Sequence, residues 1–183
     1  TSLTQTLFWY DGRGYYDEQR FGQNLDDFRL APWFTADTLA YASDYFARDT
    51  SGAPIRDSRG RLLLERADLV RRRTVVNRHY GWIPRVRIEH ARGALTVGGE
   101  IRAHDGRHYG TVITGDGLPP GTAPDYTYYD YHPHTLATGL FAREEWSPRA
   151  EVTLTADLAW RHQGYFVRGD HFDGVRFDQP YDF

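Results

Sequence analysis

A chain of 183 residues fits one domain. Its 22 basic residues are all arginine against 25 acidic ones, a net charge of −3 with no basic footprint for nucleic acid, and the lack of cysteine excludes disulfide frameworks, thiolate zinc sites and cysteine nucleophiles. No run of 18 apolar residues exists, which excludes a transmembrane helix but not a transmembrane barrel, whose apolar face is hidden in alternation.

Ser2 to Tyr10, rich in Thr, Leu and aromatics, reads as a first strand. Roughly fifty polar, Gly- and Asp-rich residues follow, a long connection in which 36–47 is a candidate short helix. From about Asp68 the chain reads as a strand again, and Trp82 to His104 is its most regular stretch. Trp82, Pro84, Val86 and Ile88 alternate with Arg85, Arg87 and Glu89; Leu95, Val97, Ile101 and Ala103 alternate with Thr96, Glu100, Arg102 and His104. With Arg92-Gly93 as a two-residue turn, the hairpin sets Ile88 beside Val97 and Arg85 beside Glu100. One face is then apolar and the other charged, which specifies the register strongly.

Gly115 to Asp125 is a Pro/Gly-dense connection, and a second hairpin runs from 134–146 through Ser147-Pro148-Arg149 into 151–161. Val152, Leu154, Ala156, Leu158 and Trp160 share one of its faces. The chain closes with a loop-like stretch from Gly169 to Phe183. Connections therefore alternate long, short, long, short, long. In a membrane barrel that parity gathers every long loop on one side and every tight turn on the other. The expected fold is all-β: an antiparallel up-and-down meander forming an arc of a large transmembrane β-barrel, with 1–183 as one partial barrel domain. The sequence contains no methionine, so the expectation is a processed chain or an internal fragment.

The runs Asp68-Leu69-Val70-Arg71-Arg72-Arg73, Asn77-Arg78-His79-Tyr80-Gly81, Leu95-Thr96-Val97-Gly98-Gly99-Glu100 and His104-Asp105-Gly106-Arg107-His108-Tyr109-Gly110 resemble segments of TonB-dependent outer-membrane receptors. Leu140-Phe141-Ala142-Arg143-Glu144-Glu145-Trp146-Ser147-Pro148 with Val152-Thr153-Leu154-Thr155 is similar to a barrel hairpin of that family, and the likeness spans about Asp68 to Trp160. The resemblance implies a Gram-negative outer-membrane protein that takes up a scarce nutrient, such as a ferric siderophore, haem, cobalamin or a glycan, with energy delivered through TonB. It also implies partners: outer-membrane lipid, further barrel strands, a plug domain, and the TonB complex acting through that plug. No plug and no TonB-contacting segment is seen here, so the chain is expected to be a middle piece that cannot carry transport alone. A passive porin and a soluble all-β carbohydrate-binding domain are the alternatives. The second would bury the apolar faces between two sheets.

The densest candidate for ligand contact is Asp125 to His134, where Tyr126, Tyr128, Asp130, His132 and His134 share one face of an extended chain. Such a group can stack on sugars or aromatic rings; it can equally form an aromatic girdle at the membrane interface. His104 and His108 are further candidates on the extracellular side. Four residues apart on a strand, they lie about 13 Å from each other, too far to share a metal. The charged face of Arg85, Arg87, Glu89, Glu100 and Arg102 is expected to line a polar lumen. Neither a metal site nor a cofactor is expected. No nucleophile triad, phosphate loop or paired-carboxylate arrangement is present, so the chain is not read as an enzyme.

Overall fold

The computed structural model describes residues 1–170 and 180–182. It is all-β. Six strands form one antiparallel sheet: β1 (Ser2–Asn24), β4 (Arg66–His90), β5 (Gly93–Asp116), β6 (Tyr126–Arg149), β7 (Val152–Asp170) and the short β8 (Pro180–Asp182), neighbours in that order. The sheet is an up-and-down meander that does not close on itself, as an arc would be. Between β1 and β4, two short strands, β2 (Trp33–Thr35) and β3 (Leu62–Leu64), pair separately inside the long connection. The expected closing loop falls largely on 171–179 and lies outside the described residues.

Side-chain alternation sorts the sheet into two faces. On one, Leu3, Leu7 and Trp9 of β1 stand beside Val86, Trp82 and Tyr80 of β4. Val97, Ile101 and Ala103 of β5 follow, then Leu136 and Leu140 of β6, then Leu158 and Trp160 of β7. Nothing covers this face among the described residues: Leu7 is 78% and Leu158 76% exposed. The apolar run stops abruptly. One step beyond Trp9, Tyr80, Ala103 and Leu136 on the same face come Asp11, Arg78, Asp105 and His134. Asp11 pairs with Arg78 at 3.2 Å, Asp105 with His134 at 2.9 Å and, slightly further on, Asp130 with Arg107 at 2.6 Å.

The charged hairpin residues Arg85, Arg87, Glu89, Glu100 and Arg102 all project from the opposite face, hereafter the inner face. The first hairpin is nevertheless shifted by two residues from the expected pairing. His90 faces Gly93, so the turn is Ala91-Arg92; Ile88 faces Leu95, and Arg85 faces Gly98 rather than Glu100. A two-residue shift preserves both faces, so alternation cannot detect it. Close approach decides instead: a Cβ on Gly93 would collide with the Glu145 carbonyl of β6. The glycine serves the sheet and not the turn. In the second hairpin the turn is Ala150-Glu151, with Ser147 and Pro148 in a register shift between Trp146 and Arg149. Proline, which has no N–H to give a ladder, suits such a break.

The buried core sits at the long-loop end, on the inner face. Leu25, Phe28 and Leu30 of the β1–β4 connection fold down onto Leu69, Val112, Tyr128 and Tyr129 of the sheet. The candidate helix at 36–47 is not formed; only a single 3-10 turn, Ser43–Tyr45, occurs there. Its backbone is bonded crosswise, with Ala47 N–H donating to Leu63 O and Glu65 N–H to Tyr45 O. Phe46 is thereby packed against Leu62 and Leu64.

Candidate functional site

The Tyr/His segment does not present one face. A register shift between Gly110 and Thr111 leaves Tyr128 as an extra residue opposite β5, which turns it into the core. Tyr128 is 2% exposed, 4.9 Å ring to ring from Phe28, and burial pushes its phenol pKa up. Tyr126 ties down the long connection by donating its hydroxyl to the Arg29 carbonyl at 3.0 Å. Asp130, His132 and His134 stand on the outer face, above the apolar band, where Asp130 receives the Arg107 guanidinium and His134 meets Asp105. The seven candidate residues thus fall into three places: core and loop anchor (Tyr126, Tyr128), outer ionic border (Asp130, His132, His134) and inner wall (His104, His108).

The inner wall brings together a group of side chains with ligand-like geometry. Tyr10, His79, His104 and Thr135 face one another across β1, β4, β5 and β6. The His79 and His104 rings stack at 4.3 Å, Tyr10 tilts 6.1 Å from His79, and His104 Nε2 lies 2.9 Å from Asn77 Oδ1. Burial first, then the neighbouring His79 and His108, lowers the His104 pKa. Further toward the loops His108 Nδ1 is 3.1 Å from the Tyr131 hydroxyl, and Tyr131 stacks on Tyr129 at 5.9 Å. On the band side, Phe8, Arg102, Arg161 and Gln163 complete a groove of about 600 Å³ with Tyr10, His79 and His104. Among the described residues, no three His, Asp or Glu side chains converge to hold a metal ion.

Toward the loops, ion pairs lace β1 to β4. Arg71 donates two bonds to Glu18, at 2.6 and 2.9 Å, and Arg72 forks Asp17 at 2.7 and 2.8 Å. These guanidiniums hold both carboxyls below the usual range. The run Arg71-Arg72-Arg73 is therefore split, with Arg71 and Arg73 inward and Arg72 outward. Arg73 meets the Tyr16 hydroxyl at 3.1 Å.

Phe8, Tyr10, His79, Arg161 and Gln163 were not legible as a site. They come from β1, β4 and β7, and only the successive pairing of β1, β4, β5, β6 and β7 brings them together. The usable local signal was glycine: Gly12 follows Tyr10 by two, and Gly81 follows His79 by two.

Comparisons with family models, with curated proteins and with solved structures returned no match.

Proposed function

We propose that this chain is an arc of an outer-membrane β-barrel of the TonB-dependent receptor type, working in the active uptake of a scarce nutrient such as a ferric siderophore. One observation carries the reading: an uncovered apolar band crosses five strands and ends at a border of ion pairs. Water offers no reason to keep such a band, since contiguous exposed apolar surface drives association. From Ile88 to Tyr80 the band runs about 27 Å along the strand, or roughly 21 Å when strands tilt by about 40°. That is close to the height of the lipid-facing band in outer-membrane barrels. Tyr80, Trp82 and Trp9 at its upper edge suit an interfacial girdle. The opposite face is polar, as a lumen wall or a surface against a plug would be. A soluble sandwich would need a second sheet over the band, and among the described residues none lies there.

Because the chain has no cysteine, single cysteines report cleanly. In intact cells a membrane-impermeant maleimide is expected to label Ser51→Cys and Ala123→Cys in the long connections. It should reach Arg92→Cys, in the tight turn, only once the outer membrane is opened. Leu7→Cys and Leu158→Cys should react with a lipid-soluble reagent alone. Rapid labelling of Leu158→Cys by the water-soluble reagent, in protein recovered from the soluble fraction, overturns the membrane reading. Active and passive uptake separate on growth with iron or a saccharide as the limiting nutrient: deleting the gene should slow cells that have TonB on the nutrient it carries and leave cells without TonB unchanged.

A further inference from the structure

The groove on the inner wall combines flat aromatic surface with an unbalanced charge. Phe8 and Tyr10 lie down against the sheet because Gly81 and Gly12 carry no Cβ. A Cβ on Gly81 would stand 2.6 Å from Phe8 Cε1, and one on Gly12 would run into the Tyr10 ring. Rings laid in this way turn a π face toward the open side of the sheet. Beside them His104, Thr135 and Gln163 supply uncharged donors and acceptors. Charge is set by Glu100, which lies 2.7 Å from Arg102 and 3.9 Å from Arg161. One carboxylate between two guanidiniums leaves, among the described residues, a single positive charge over. Arg161 is the more loosely held of the two, and it reaches Gln163 Oε1 at 3.2 Å.

We propose that this groove binds a saccharide carrying a carboxylate, with its C–H face on the Phe8 and Tyr10 rings, its hydroxyls on His104 and Gln163, and its carboxylate on Arg161. The proposal rests on the barrel reading for its place near the outer mouth and narrows the nutrient class within it. A ferric chelate of several negative charges would need several spare cations, and the groove has one. A neutral sugar would leave that one unanswered. The groove volume lies within the range of small-ligand sites.

The test is calorimetric titration of the full-length protein, purified in detergent, with galacturonate, which carries one carboxylate, with its methyl ester and with inorganic phosphate. The acid is expected to bind about tenfold more tightly than the ester, the difference between a charge-assisted and a neutral hydrogen bond, and phosphate is expected not to bind. Arg161→Gln, at an exposed position, should bring the acid to the ester's level, and Tyr10→Leu should weaken both. Equal binding of acid and ester, binding of neither, binding of phosphate alone, or an Arg161→Gln protein that still separates acid from ester overturns the proposal. Binding is read on purified protein, so such a failure leaves the cysteine-labelling result where it stands.

Discussion

His108 shows how the inner wall holds itself neutral above the apolar band. Burial withholds water from its imidazolium and lowers its pKa from the ordinary 6.5, while burial raises that of the Tyr131 phenol bonded to it. Both groups therefore stay uncharged across neutral pH. For a base whose folded pKa is depressed, the contribution to stability is complete above pH 6.5. It is lost as pH falls toward the folded value, because the unfolded chain takes up the proton first. The His108 imidazole resonances should titrate with a midpoint below 6.5, and the protein should lose stability on acidification through that window. A midpoint at or above 6.5 would mean that water reaches the ring freely.

At the scale of strands, packing on the inner face is a matter of rings over glycines. Phe141 of β6 lies across Gly98 of β5, where a Cβ would meet Phe141 Cζ at 2.5 Å and the Pro84 carbonyl at 2.8 Å. Because one of those neighbours is backbone, Gly98→Ala should destabilise the sheet by about 1–3 kcal/mol, as overpacking does. Gly14→Ala, with nothing within 4 Å of its Cβ, should be neutral or slightly stabilising. Urea unfolding of the two variants in lipid vesicles makes the comparison, and equal effects would refute this account of the packing. The same strands show what could be read in advance. The faces of the first hairpin were legible, because a residue on the apolar band cannot be polar without cost; the incoming arm of the second alternates less cleanly, with Thr138 standing between Leu136 and Leu140 on the band. The length of β1 was not: it was read as ending at Tyr10 and runs to Asn24. Beyond Trp9 both faces meet polar surroundings, so alternation no longer reports the strand, and pairs such as Asp17–Arg72 and Glu18–Arg71 continue it instead. The Tyr128 misplacement has a related origin. A register shift of one residue leaves no mark in composition, and it moved a supposed ligand contact into a core.

Taken whole, the molecule is a sheet with one face that water disfavours and one that lipid disfavours. The cost of a charge at the centre of the band therefore depends on which solvent the band meets. In a bilayer, Leu140→Arg, in the middle row of the band beside Trp160, should cost about 2–4 kcal/mol. On a soluble sheet, where Leu140 is already exposed, it should cost almost nothing. Folding into lipid vesicles, followed by tryptophan fluorescence against urea, separates these values, and a cost under half a kcal/mol would argue against the membrane reading.

The meander also has an order in time. β4 meets β5, and β6 meets β7, across turns of two residues, so those hairpins form at little entropic cost. β1 must wait for the ends of the 25–65 connection to come together before its first rung can close on β4. Until then the β4 edge stands open, with Arg71 and Arg72 still lacking the carboxylates they later hold. The β1–β4 seam is thus expected to close later than the two tight hairpins, and any factor that shepherds this chain into place has most to gain by guarding that edge.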